Sequence, residues 1–253
     1  MRLTVLGSGT GWPRKKRNAP GYLVETGKYT LLLDFGPGIL RRLVELEREL
    51  NELDIIFISH WHPDHVADLV PYLFATRYRL GFRREKPVRL ISAAGFRDFY
   101  KSLREAFGSW IEPPEGLLEI LERPRGEKAR LGFPNLDILT APARHNPESL
   151  AVRIEAEGRS LVYTGDTEYA PGVVELASGA DLMICECAAP EDSPVAGHST
   201  PSVAARMAAE AGVKRLLLSH FYPPCDKADL LTPARKYFAG EILLASDLMS
   251  ITI

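Results

Sequence analysis

Short apolar runs separated by polar punctuation set the pattern of this chain. Runs at residues 2–6, 21–26 and 30–34 have the length and composition of buried strands. Over residues 39–49, Leu40, Leu43, Val44 and Leu46 recur at helical spacing. Residues 54–59 form another strand, an acid followed by Ile, Ile, Phe and Ile. From Val66 onward, Leu69, Val70 and Leu73 mark a helix face whose register Pro71 disturbs. Residues 88–92 read as a strand and 95–107 as a helix. Residues 108–134 carry four prolines and only short hydrophobic pieces, which predicts local excursions at the rim of a site.

A second β-rich stretch opens at 136–141. Residues 150–155 and 160–164 pair as a hairpin across "EAEGR". Two more buried strands follow at 182–187 and 215–219. Between them "GHSTPSVAARMAAEAGVKR" predicts a helix with Thr200 as N-cap, Pro201 at the first helical position and Gly212 as the stop. The alternation predicts an α/β protein of two sheets packed face to face with helices outside. The halves fall at approximately 1–135 and 136–253, within a single domain spanning 1–253.

Composition narrows the class. A chain of 253 residues that is 45% hydrophobic and 25% charged can bury a substantial core. A formal net charge of −2 does not advertise general nucleic-acid binding. No apolar run is long enough to predict a membrane span, and the opening "MRLTVLGSG" has no signal-peptide pattern. The three cysteines, Cys185, Cys187 and Cys225, make no disulfide framework, so a cytoplasmic location is expected.

The chemistry gathers at strand ends. In "LDIIFISHWHPDHVADLVPYLF" three of the chain's six histidines, His60, His62 and His65, fall within six residues, with Asp64 among them. His145, Asp166 and His220 each lie just past the carboxyl end of an apolar run, where such sheets converge on a crevice. These seven groups are nitrogen and oxygen donors suited to zinc and similar borderline metals. Seven donors exceed one closed zinc site and fit two ions sharing one carboxylate, with a water or hydroxide between them. A lone histidine near a strand end is usually structural; a histidine-x-histidine-x-aspartate-histidine run is not a lone histidine.

That run, together with the later His145, Asp166 in "YTGDT" and His220, resembles the signature of the metallo-β-lactamase fold superfamily over essentially the whole chain. The resemblance implies a four-layer αβ/βα sandwich. It implies His60, His62 and His145 on one metal, Asp64, His65 and His220 on the second, and Asp166 bridging. True β-lactamases of this fold usually place a cysteine where Asp166 stands, so the chain is more similar to the broader dinuclear hydrolases.

Within them, "VLGSGTGWPRKKRNAPGYLVE", "LLLDFGPG" and "GHSTPSVAARMAAEAGVKRLLLSHF" resemble the ribonuclease Z and related phosphodiesterase group. In that group the histidine matching His198 lies over the metals and helps the leaving group; the bland alternative is a helix-start histidine. Ribonuclease Z proteins with a long tRNA-holding arm insert it between the residues matching His145 and Asp166, where this chain has room only for a hairpin. "GPGIL" also stands where a "GEGTQ"-like stretch is expected.

The expected function is therefore a metal-dependent phosphodiesterase with a dinuclear centre and bridging hydroxide. Its cofactor would be two divalent ions, zinc before manganese, and Asp64 and His198 would be the catalytic groups. Ribonuclease Z-like tRNA 3′ processing and glyoxalase II-like thioester or lactone hydrolysis are the alternatives. The expected partner is a small phosphodiester or related ester. Nucleic acid is not favoured, no membrane partner is expected, and a homodimer is left open.

Lesser signals complete the reading. "GSGTG" lacks the spacing and following helix of a dinucleotide loop; it, Gly36 and Gly38 are expected to run close to the metal site. The basic run Arg14, Lys15, Lys16 and Arg17 is either solvated surface or a phosphate attractor. Asp34, Glu186 and Asp247 are candidate supports behind the ligands, Asp34 for a ligand histidine and Glu186 for His198.

Overall fold

A computed structural model describes residues 1–77 and 84–253. Among the described residues, fourteen strands form two seven-stranded sheets. In the first sheet, β1 (Arg2–Gly7), β2 (Gly21–Glu25) and β3 (Thr30–Leu33) pair antiparallel. β4 (Ile55–Phe57), β5 (Val88–Ala93) and β6 (Leu118–Arg123) continue from β3 in parallel. The second sheet repeats the plan. β7 (Ala129–Phe133), β8 (Leu136–Pro142), β9 (Leu150–Ala156) and β10 (Arg159–Tyr163) are antiparallel. β11 (Leu182–Glu186), β12 (Arg215–Ser219) and β13 (Glu241–Leu244) extend it in parallel. β14 (Ser250–Thr252) returns to the first sheet beside β1.

Side-chain alternation explains the layers. Leu31 and Leu33, Ile55 and Phe57, and Ile91 and Ala93 face the second sheet in the main core. Their neighbours Leu32, Ile56, Ile58 and Leu90 face outward into a second core. That outer core is covered by α1 (Ile39–Glu45), α2 (Pro63–Val66), α3 (Leu69–Ala75) and α4 (Phe96–Phe107). On the other sheet, α5 (Pro171–Leu176), α6 (Pro201–Glu210) and α7 (Leu231–Arg235) complete the sandwich. Strands covered on both faces read as continuous apolar runs, as the sequence shows. Among the described residues no helix is long and apolar enough to cross a membrane.

Several elements depart from the sequence reading. The helix expected to reach residue 49 stops at Glu45. Glu47 turns left-handed (φ 56°), and the Arg48 N–H returns to the Leu43 carbonyl at 2.9 Å, closing the end. The irregular stretch 108–134 contains β6 and β7, one edge strand of each sheet. The sheets also do not divide the chain at residue 135: β7 already belongs to the second and β14 to the first. Thr200 stands at the N-cap with extended backbone, but its hydroxyl makes no cap bond; Glu191 accepts the Ser202 N–H instead, at 3.1 Å. The expected hairpin is present, its two-residue turn made by Glu157 and Gly158, both at positive φ (56° and 68°).

Candidate metal centre

The parallel strands deliver their carboxyl ends to one edge of the sandwich. β4 leads into Ser59 and His60, and α2 carries Asp64 and His65. His145 follows β8, Asp166 follows β10, Glu186 ends β11 and His220 leaves β12. Close backbone packing makes the convergence possible. A side chain at Gly36 would start 2.1 Å from the Asp64 carbonyl oxygen, and one at Gly165 would start 2.8 Å from Ser59 Cβ. Gly165 also holds φ 58°, which glycine alone adopts at little cost.

The seven residues expected as ligands come together in two sets. His60, His62, His145 and Asp166 offer ligand atoms within 4.8 Å of one another, and so do Asp64, His65 and His220. Asp166 lies between them. Its Oδ2 is 3.7 Å from His60 Nε2 and 3.4 Å from His65 Nε2, while its Oδ1 is 3.5 Å from His220 Nε2. His220 Nε2 is 3.6 Å from Asp64 Oδ2, and His65 Nε2 is 3.3 Å from His220 Nε2. A third grouping joins Asp166, His198 and His220, so the geometry also brings His198 within ligand range.

A hydrogen-bond network turns the rings toward this centre. Asp34, fully buried at the end of β3 in left-handed backbone (φ 58°), accepts four hydrogen bonds. They come from Ser59 N (2.7 Å), Ser59 Oγ (2.7 Å), His65 Nδ1 (2.6 Å) and Tyr163 Oη (2.6 Å). The Ser59 hydroxyl gives its proton to Asp34, so it accepts from His60 Nδ1 at 3.0 Å. His145 Nδ1 donates to the Gly197 carbonyl at 2.8 Å. In His60 and His145 this leaves Nε2 with its lone pair facing the centre, the form that binds a metal, and His65 Nε2 points the same way. The Asn146 amide lies 3.0 Å from His62 Nε2, leaving Nδ1 turned toward His60 and His145.

The electrostatics suit cations. Burial, reinforced by neighbouring His65, pushes His60 well below the usual imidazole range; burial and His145 lower His62. Both are thereby kept neutral. Burial works to raise Asp64 and Asp166, yet the adjoining histidines, His220 foremost, outweigh it and hold both carboxylates ionised. Burial would also lower His65, but Asp166 and Asp34 raise it well above its ordinary value. Asp166 Oδ1 is buried with no hydrogen-bond partner, a cost that a cation removes. Ionised acids, inward lone pairs and an orphaned carboxylate oxygen together fit divalent metal ions.

The remaining expected residues fall in different places. His198 Nδ1 is 3.1 Å from both oxygens of Glu186 and 3.9 Å from Asp166 Oδ2, and its Nε2 is 3.4 Å from Tyr222 Oη. Burial and the Asp166 charge push Glu186 well above the carboxylate range, although it also accepts the Thr167 N–H at 2.6 Å. Asp247 does not lie behind a ligand. It accepts from Ser8 N and Oγ, Asn18 N and Arg42, and so pins the glycine loop instead. Gly11 N in turn donates to Asp64 Oδ2 at 2.9 Å.

The basic run is divided in its roles. Arg14 and Arg17 both bond Asp226, and Arg17 also bonds Ser8 and the Ala245 carbonyl, whereas Lys15 and Lys16 are exposed. Cys185, Cys187 and Cys225 are free and buried. Sequence reasoning missed Ser59, Asn146, Tyr163 and Tyr222. Ser59 and Asn146 adjoin His60 and His145 and could have been suspected on that ground; Tyr163 sits in a strand and looks like core.

A cavity of about 600 Å³ opens beside the centre, lined by Gly11, Trp12, Asp64, Tyr222 and Pro223. A larger one of about 1000 Å³ lies by the β9–β10 turn. It holds none of the seven ligand candidates, and its Lys214 is paired with Asp181 at 2.7 Å.

Comparison with known proteins agrees with this picture. Residues 29–221 match the family model described as "Beta-lactamase superfamily domain". The chain is 30% identical to a ribonuclease Z of Brevibacillus brevis, covering 100% of this chain and 97% of that protein. That alignment runs over 312 positions, more than this chain's 253 residues, so the relative carries insertions that are absent here. The probable metallo-hydrolase YhfI of Bacillus subtilis is 29% identical over 247 positions, covering 97% of both chains. The crystal structure of YhfI superposes with a TM-score of 0.83 over 99% of both chains, at 27% identity. Human tRNase Z, short form, shares the fold at a TM-score of 0.81 and 23% identity, covering 100% of this chain and 99% of that one.

Proposed function

The chain belongs to the beta-lactamase superfamily and is a metal-dependent hydrolase, and from that premise we propose that it hydrolyses phosphodiesters at a dinuclear centre. The observation that carries the proposal is His198. It is held by Glu186 at the rim of a centre already furnished with seven other donors. Zinc is the metal we favour, with manganese second, because the donor set mixes imidazole and carboxylate.

His60, His62 and His145 would hold one ion, Asp64, His65 and His220 the other, and Asp166 would lie between them. Bound there, two divalent ions supply Lewis acidity toward phosphoryl oxygens and lower the pKa of a water molecule. The protein's own groups do the rest. Asp34 and Ser59 hold His65 and His60 in the ligand tautomer. Gly197 does the same for His145, and the Gly11 N–H fixes Asp64 so that it can also orient the attacking oxygen. His198 delivers a proton from Nε2 to the departing alkoxide while Glu186 holds Nδ1. One domain and a cytoplasmic setting complete the proposal, in keeping with three free cysteines.

A ribonuclease Z activity is the second reading, favoured by the full-length likeness to the Brevibacillus brevis protein. Against it stand the missing insertions and the short β9–β10 hairpin between His145 and Asp166. Arg14 and Arg17 are also engaged by Asp226 rather than free for RNA. Purified, metal-loaded protein assayed on phosphodiesters, cyclic nucleotides, thioesters, lactones and precursor tRNA tests the proposal. Turnover of phosphodiesters above the other classes is the expected result. Position-specific cleavage at the 3′ side of tRNA, exceeding that on small diesters, would move the second reading to first place.

A further inference from the structure

Trp12 is 67% exposed and belongs to neither hydrophobic core, so folding does not account for it. Single exposed apolar residues are ordinary, but this one lines the same cavity as the candidate ligand Asp64. The backbone leading into it is anchored beside the centre. The preceding residue, Gly11, donates to Asp64 Oδ2, and the Trp12 N–H reaches Thr10 Oγ1 at 3.4 Å. A side chain at Gly11 would stand 3.3 Å from Asp64 Cβ, so the loop passes against that ligand.

Tyr222 lines the same cavity. Its ring meets His198 and His220 edge-on, with centroids 5.6 Å and 6.0 Å away, and its hydroxyl is held near His198 Nε2. An indole therefore borders the site on one loop and a fixed phenol borders it on another.

We propose that Trp12, with Tyr222, forms a stacking subsite for a nucleobase carried on the ester that the metal centre cuts, making Trp12 the residue that selects nucleoside phosphodiesters. This rests on the phosphodiesterase reading given above. Aromatic side chains hold bases by their faces and tolerate any base, because every base presents a π surface. The cavity volume falls in the range that takes a small ligand, which suits a nucleotide better than a folded RNA surface. The Tyr222 hydroxyl supplies a polar partner at its margin.

Two measurements test this on the intact, metal-loaded protein. The first compares hydrolysis of adenosine 2′,3′-cyclic phosphate with that of glycerol 1,2-cyclic phosphate, which has the same strained ring but no base. Stacking of one base corresponds to a preference of roughly 5- to 150-fold in kcat/KM. Trp12→Ala should bring that ratio close to one, and Trp12→Phe should keep much of it. The second titrates AMP against ribose 5-phosphate by equilibrium dialysis, where AMP should bind tighter and Trp12→Ala should abolish the difference.

If the wild type turns over both cyclic phosphates without preference, or Trp12→Ala leaves the ratio intact, the base subsite is overturned while the phosphodiesterase reading stands. If neither these nor bis(p-nitrophenyl) phosphate is hydrolysed but AMP binding still depends on Trp12, the subsite stands and the phosphodiesterase reading falls. Equal binding of AMP and ribose 5-phosphate overturns the subsite whatever the turnover. Because Trp12 packs in neither core, circular dichroism of the variants should match the wild type.

Discussion

Asp34 reaches His60 through a single hydroxyl: Ser59 Oγ donates to Asp34 Oδ2 and thereby accepts from His60 Nδ1. The same carboxylate takes the Nδ1 proton of His65 directly. One buried acid therefore fixes the tautomer of two rings, one in each of the two candidate metal sets. Its left-handed backbone is the strain that this placement costs, since aspartate adopts φ 58° less readily than glycine.

Asp34→Asn should accordingly weaken both metal positions, by about 10- to 100-fold in affinity, the usual effect of removing a group that orients a ligand histidine. Ser59→Ala should weaken chiefly the position holding His60. Competitive titration against a chromophoric chelator separates the two. Equal losses at both positions in Ser59→Ala would contradict the relay.

Asp166→Ala should damage both metal positions, because its Oδ2 lies near His60 of one set and His65 of the other, and its Oδ1 near His220. His145→Ala should first weaken one. Metal analysis of wild-type protein purified without chelator should approach two ions per chain. Saturation of a metal-replete sample at one ion would refute the shared carboxylate.

His198→Ala should keep both metals and lose about 100- to 10,000-fold in kcat on diesters with alkoxide leaving groups. On bis(p-nitrophenyl) phosphate the loss should be smaller, since p-nitrophenolate needs little protonation. Equal losses on both substrates would make His198 a phosphate-positioning group. A loss of one bound ion would instead assign it to the grouping with Asp166 and His220.

Asp226 offers a pH test away from the metals. Burial works to raise it, but Arg17 and Arg14 outweigh that and hold it below the ordinary carboxylate value. A depressed folded value means that the stabilisation is complete above the unfolded value of about 3.9 and is lost as pH falls through the folded one. The side chain is 42% exposed, so solvent screening keeps the effect under about 1 kcal/mol. Urea midpoints between about pH 5 and pH 2 should therefore fall more steeply in the wild type than in Asp226→Asn, and added salt should narrow the gap. Parallel curves at low salt would rule the contribution out.

How legible each feature was in the sequence follows from how local its cause is. The His60–His65 cluster announces itself because donors crowd one turn, and the doubly covered strands because they are uniformly apolar. β6 and β7 were hidden because edge strands are half solvated: "LEILER" and "ARLGF" mix charge with apolar residues and resemble loop. The end of α1 depended on Glu47 adopting a backbone that its identity does not favour. The roles of Asp247, Arg14 and Arg17 were hidden for a shared reason. Their partners lie some 200 residues away in the chain, and nothing nearby in sequence names them.

Neither set of donors comes from one sheet. His60 and His62 follow a strand of the first sheet while His145 and Asp166 follow strands of the second, and Asp64 and His65 face His220 in the same crossed way. Each ion would therefore act as a rivet through two layers that otherwise share an apolar core. Its binding energy would be forfeited if either layer opened. Metal occupancy would then set cooperativity: loaded protein should melt as one unit, and chelated protein is the form in which the two halves could part company.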